Sequence, residues 1–188
     1  MIMKNATLLT MLLLYVVACA NPENTKQTLA NSEAIVVEKI DKQVPSYASP
    51  CELITDDEIK LLFSIPSDLT LIRKDRVLTY PTCSFEWEDG KVQKIMESLN
   101  MKIDLPSELM IVMVKNSDEK KFEASAKVYK DGVPVKDLGD VAAWGDRMLQ
   151  LSFLSNGYMF HIHVKASNEA KINKEKAIEI AGLLIDKL

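Results

Sequence analysis

The stretch MLQLSFLSNGYMFHIHV, residues 148–164, constrains the fold of this chain more than any other. Asn156-Gly157 is a dipeptide suited to a two-residue type I′ turn, whose central residues both take positive φ. Apolar and polar residues alternate on either side of it, as they do in a half-buried hairpin. The turn sets the register. Ser155 faces Tyr158, Leu154 faces Met159, Phe153 faces Phe160, Ser152 faces His161, Leu151 faces Ile162, Gln150 faces His163 and Leu149 faces Val164. Side chains alternate between the two faces of a strand, so Leu149, Leu151, Phe153, Phe160, Ile162 and Val164 form the expected core face. His161 and His163 fall on the opposite face, beside Ser152 and Gln150.

Other elements arrange themselves around this hairpin. In PCELITDDEIKLLF, residues 50–63, Thr55 is the expected helix cap and Glu58, three later, completes a capping box. Ile54 and Ile59 form the matching hydrophobic staple. Asp56, Asp57 and Glu58 crowd the positive end of the helix dipole, which accounts for them without a metal. Cys83, Phe85 and Trp87 alternate with Ser84, Glu86 and Glu88, the pattern of a strand with one buried face. Val92, Ile95, Met96 and Leu99 have helical spacing and predict a short helix over 91–99. The apolar run 109–114 predicts a strand covered on both faces. Ser117 is the expected cap of a second helix, with Phe122, Ala126 and Tyr129 on one face and Gly132 closing it. The last helix is expected to begin at a cap on Asn173, with Ile178, Ala181, Ile185 and Leu188 as its apolar stripe.

The beginning of the chain reads differently. Lys4 is the only charge before Cys19, and residues 6–18 are apolar apart from Thr7 and Thr10. A membrane-spanning helix needs about 20 apolar residues, so this run is short for a span and fits a secretory signal. Val16-Val17-Ala18-Cys19 resembles the bacterial lipobox. That resemblance implies cleavage after residue 18 and lipidation of Cys19 by diacylglycerol and a further acyl chain such as palmitate. Several acyl chains on one residue give stable membrane anchoring. Ala20 rather than aspartate follows the cysteine, which resembles an outer-membrane sorting signal. Residues 1–18 are thus the expected signal peptide, and 19–49 a lipidated, polar tether with a root-mean-square reach of roughly 30 Å. The patch Ala34-Ile35-Val36-Val37 interrupts that polarity and is a candidate for docking on the domain.

Cys51 and Cys83 remain once Cys19 is assigned. An even pair in an exported chain normally bridges, and no C-x-x-C pair is present to suggest a redox centre. The formal net charge of −4 offers no counterion-release drive toward nucleic acid. The expected partner is therefore the membrane, through Cys19, with an envelope protein or small ligand beyond it.

Chemical motifs are few. His161 and His163 at i, i+2 on one strand are candidate metal ligands, but a third ligand is needed and the cysteines are committed elsewhere. A serine triad also needs an acid behind the imidazole and an oxyanion hole. No G-x-S-x-G, H-E-x-x-H or glycine-rich phosphate loop occurs. In VKDLGDVAAWGD, residues 135–146, Trp144 reads as a cover for the core edge within a tight connection, and as a candidate ligand contact alongside His161 and His163. The expectation is a non-enzymatic binding or interaction module with no cofactor. The alternative is a metal-binding protein or enzyme using His161 and His163.

Three stretches carry a wider resemblance. They are Pro50, Cys51, Leu53, Ile54, Thr55 and Glu58; then Cys83, Ser84 and Phe85; then Leu138, Gly139, Asp140, Ala142 and Trp144. In these the chain is similar to small exported bacterial lipoproteins of uncharacterised function. The resemblance covers residues 50–188. It implies a single α+β domain there, with a twisted antiparallel sheet, a structural disulfide and two or three packing helices including the C-terminal one. It implies no catalytic residues. The chain departs from the group in its long segment between Asp89 and Pro106, where strand order stays open.

Overall fold

A computed structural model describes residues 46–188. The expected signal peptide, Cys19 and the expected tether as far as residue 45, with its 34–37 patch, lie outside the described residues. The described chain is α+β, a seven-stranded antiparallel open sheet with three α-helices. The strands are β1 (Ile72–Val77), β2 (Pro81–Met96), β3 (Met101–Val114), β4 (Gly132–Pro134), β5 (Val141–Gly145), β6 (Gln150–Ser155) and β7 (Tyr158–Lys165). Their spatial order is β1-β2-β3-β7-β6-β5-β4. The helices are α1 (Asp56–Phe63), α2 (Glu119–Ala126) and α3 (Ala170–Ile185).

The hairpin forms in the expected register from Ser155↔Tyr158 to Gln150↔His163. Asn156 and Gly157 take φ of 49° and 77°, as a type I′ turn demands. Leu149 falls outside the strand, in a left-handed conformation that ends a short 3-10 turn. Leu151, Phe153, Phe160, Ile162 and Val164 are fully buried on one face, with the Phe153 and Phe160 rings stacked at 5.0 Å. The same face of β2 and β3 adds Cys83, Phe85, Trp87, Leu109, Ile111 and Met113, and α1 and α3 cover it.

α1 starts as its sequence dictates. Thr55 accepts a hydrogen bond from Glu58 N, and Glu58 accepts from Thr55 N. Ile54 and Ile59 are both buried in the core. Just before this cap, a 3-10 turn carries Cys51, which bridges to Cys83 on β2 with Cα atoms 5.1 Å apart. Arg73 of β1 donates to the Cys51 carbonyl and to Asp56 Oδ1, bracing the same junction. The packed chain begins before Pro50. Tyr47 donates its hydroxyl to the Lys187 carbonyl at 2.6 Å, and Ser49 donates to Asp75 Oδ1 at 2.7 Å.

Several expectations are corrected. Residues 91–96 continue strand β2, and only Glu97–Leu99 form a 3-10 turn. Pairing with Met101–Leu105 of β3 wins over the helical spacing, and Ile95 and Leu99 are exposed rather than packed. In β3, Leu109, Ile111 and Met113 are buried on one face, whereas on the other Val114 is buried but Met110 and Val112 are only half-buried, so the second face is covered at one end alone. Asp118, not Ser117, caps α2 by accepting from Lys121 N, while Ser117 donates its hydroxyl to the Val114 carbonyl. The helix ends before Lys127, and Gly132 opens β4 instead of closing it. α3 starts near Ala170, so Asn173 lies within its first turn. The buried Asn173 side chain accepts from Ala166 N and Ser167 N, tying down the loop that precedes the helix. The stripe of α3 turns accordingly, to Ala177, Ile180, Ala181 and Leu184.

α2 covers part of the second sheet face. Phe122 packs there with Val114, Leu154 and Met159, which share one row across β3, β7 and β6. The Leu138-Gly139-Asp140 turn has a steric role. Gly139 takes φ of 58°, and a Cβ added there would sit 2.4 Å from the Leu154 carbonyl oxygen. Asp140 N donates to that same carbonyl. Glycine is required at 139 both for its backbone angle and for its lack of a side chain.

Candidate functional site

The second sheet face, beyond the α2 contact, gathers the polar residues that the sequence singles out. Register places Thr82, Val112, His161, Ser152 and Ala143 in one row across the sheet. Met110, His163 and Gln150 belong to the next row. Tyr129, which follows α2, lies over them. Gly132 and Gly145 are direct partners in β4 and β5, and a Cβ on either would come within 3.0 Å of Tyr129. Two facing glycines thus let the tyrosine ring rest against bare backbone.

From that seat the Tyr129 hydroxyl completes a chain of hydrogen bonds. Gln150 Nε2 donates to Tyr129 at 2.5 Å. Tyr129 is 2.5 Å from Ser152 Oγ, and Ser152 Oγ is 2.6 Å from His161 Nδ1. An amide nitrogen only donates, so Gln150 Nε2 is the donor to Tyr129; between Tyr129 and Ser152 either hydroxyl can donate, and Ser152 can donate to Nδ1 or accept from it. When Ser152 donates, Nδ1 accepts and the ring is neutral with its proton on Nε2. Burial acts in the same sense and lowers its pKa below the ordinary histidine value. Burial also raises the Tyr129 pKa, against the hydrogen bonds to Ser152 and Gln150.

This arrangement does not resemble a hydrolytic site. In a serine triad the serine meets Nε2 and an acid holds Nδ1. Here Nδ1 faces the serine, and Ser152 has no exposed surface for a substrate to reach. His163 stands apart, with Nδ1 2.8 Å from the Met148 carbonyl oxygen, a contact in which the ring nitrogen is the donor. Among the described residues no group of three or more His, Cys, Asp or Glu could hold a metal ion. Trp144 is wholly buried in β5 and donates its indole N–H to Asp146. The sequence draws attention to both histidines, but it carries no signal for Tyr129 as their neighbour. That signal was the Gly132–Gly145 pairing, visible only once β4 is known.

The most exposed architecture lies at the other end of the sheet. β1 stops pairing with β2 at Glu86, and β7 stops pairing with β3 at Glu108. Beyond these points Val92–Met96 and Met101–Leu105 pair only with each other among the described strands. A register break between Trp87 and Val92 marks the base of this ribbon. Asp89 sits in the break, half-buried, with its side chain only 6% exposed. It accepts from Trp87 Nε1 at 2.9 Å and Ser107 Oγ at 2.7 Å, and pairs with Lys91 Nζ at 3.1 Å. Burial alone would raise its pKa, but the hydrogen bonds from Ser107, Trp87 and Lys91 outweigh that and hold it below the usual value. The ribbon is therefore fixed at its root by an ionised carboxylate. Ile95, Leu99 and Met101 stand exposed at and near its tip.

No protein-family model, curated protein or solved structure matches this chain.

Proposed function

We propose that this chain is a lipid-anchored bacterial envelope protein whose globular part is a non-enzymatic binding or interaction module. Its anchor is Cys19 and its place is the outer membrane, as the lipobox and Ala20 suggest. The observation that carries the module reading is the β2–β3 ribbon. Neither of its strands has a further strand partner among the described residues, although Gln93 N on the β2 edge donates to Asn168 Oδ1, and Ile95, Leu99 and Met101 are exposed above a base where Asp89 accepts from Ser107. Exposed edges and clustered apolar side chains are features by which proteins recognise other proteins. The polar network around His161 supports the same reading, because its serine is sealed from substrate and its groups satisfy one another.

A photo-crosslinking residue at Leu99 of the full-length protein, in its native envelope, tests this. The expected result is a discrete adduct from Leu99 and none from the same residue at Glu123 on α2. No adduct from Leu99, or equal labelling from both positions, removes the ribbon as an interaction element.

A further inference from the structure

The opposite pole of β2 carries a second exposed apolar group. The turn joining β1 to β2 presents Val77, Leu78 and Tyr80, which are 77%, 62% and 45% exposed. It is held in shape by Leu78 N donating to the Tyr80 carbonyl at 3.2 Å. Arg76 precedes it. Lys115 follows Val114 at the same end of the sheet, because Thr82 pairs with Val112. Neither cation has an ion pair among the described residues. The nearby acids Asp75 and Asp118 are each engaged, with Ser49 and with Lys121 N.

The chain reaches the domain at this same pole. Ser49 donates to Asp75, the residue before Arg76, so the segment leading back to the N-terminus joins the domain beside the turn. We infer that the Val77-Leu78-Tyr80 turn, with Arg76 and Lys115, is a second contact with an anionic lipid bilayer. The inference rests on the reading that Cys19 anchors the chain. An amphipathic tyrosine suits the headgroup level, two aliphatic side chains suit the acyl boundary, and the cations suit anionic headgroups. Such a contact would turn the domain so that the ribbon tip, at the far end of β2, points away from the bilayer.

Tryptophan quenching tests the contact. Full-length lipidated protein is reconstituted into vesicles of phosphatidylcholine and phosphatidylglycerol, with or without bromine on the phosphatidylcholine acyl chains. Trp87 and Trp144 are buried in the core and supply an unquenched baseline. Leu78→Trp is expected to lose its added emission in brominated vesicles, and Leu99→Trp to keep it. Both positions are exposed, so both variants are expected to melt as the wild type does. Vesicle flotation reports the anchor separately. Protein that floats with the vesicles yet shows no quenching of Leu78→Trp overturns the contact while leaving the anchor intact. Quenching of Leu99→Trp instead places the ribbon on the bilayer and also overturns it. Protein that fails to float overturns the anchor on which the inference rests.

Discussion

Ser152 Oγ stands 2.6 Å from His161 Nδ1, and the two residues are direct partners across the β6–β7 hairpin. Burial of the imidazole favours its neutral form. A histidine whose folded pKa lies below its unfolded value contributes its full stability above that unfolded value, near pH 6.5. As pH falls below it, the unfolded chain takes up the proton first and stability declines until the folded pKa is reached. The melting temperature of the wild type is therefore expected to drop between pH 7.5 and pH 5. In His161→Gln that drop should be smaller, whatever the variant's stability at neutral pH. Equal pH slopes in the two proteins would show that His161 does not titrate differently on folding.

Tyr129→Phe removes one hydroxyl and keeps the ring on its glycine seat. Gln150 and Ser152 each lose a partner in a buried setting, at a cost of about 1–3 kcal/mol. Urea denaturation should show that loss without a change in m-value. An unaltered midpoint would mean that water replaces the hydroxyl without penalty.

Gly139→Ala should be among the most disruptive single substitutions in the domain. Left-handed backbone costs a residue with a Cβ roughly 1–2 kcal/mol. The Leu154 carbonyl must also move, because the new carbon would lie 2.4 Å from its oxygen. Gly90→Ala is the control. Its φ is 70°, but nothing lies within 4 Å of the added carbon, so only the backbone cost applies. Thermal melts of the two variants should rank Gly139→Ala clearly lower, and a reversed order would refute the close-approach argument.

The Cys51–Cys83 bridge closes a loop with a sequence separation of 32. In the chain-entropy picture this contributes about 3–4 kcal/mol. The double variant Cys51→Ser, Cys83→Ser should still fold, since its core draws on strands β2, β3, β5, β6 and β7, but should melt lower by on the order of 10 °C. Protein from its native compartment should show no titratable thiol at these positions when denatured. An unchanged melting temperature would leave the bridge without a stabilising role.

Cys19→Ala should abolish incorporation of labelled fatty acid and release the protein from membranes. Continued labelling of that variant would remove the lipobox reading. Recovery of the wild type in the inner membrane would count against the outer-membrane assignment.

The parts of the fold that could be read from the sequence are those set by local chemistry. Asn156-Gly157 fixes a turn, and the turn fixes six pairs of partners from Ser155↔Tyr158 to Gln150↔His163. Thr55 and Glu58 fix the start of α1 through two reciprocal bonds. Residues 91–99 show the limit. Val92, Ile95, Met96 and Leu99 satisfy a helical period, yet the decision lay with residues 101–105, which offered a partner strand. Asn173 makes the same point on a smaller scale, because a cap and a loop brace use the same amide. Of the candidate site, both histidines and their neighbours Ser152 and Gln150 were legible. Tyr129 was not, since its position depends on two glycines that meet only through tertiary pairing.

The order of the sheet also bears on how such a chain acquires its structure. β1-β2-β3 is one meander and β4-β5-β6-β7 another, with sequence neighbours paired throughout each. Each half can assemble from nearby segments, which is rapid because little loop entropy opposes it. Among the strand pairs described, only β3 against β7 joins residues distant in the chain, as at Ile111↔Ile162. That seam is the expected rate-limiting step. Until it closes, the most apolar strands of the molecule present open edges, the condition in which nascent sheets associate with one another. The interval before closure is thus the period in which the domain is most exposed to association with other copies of itself.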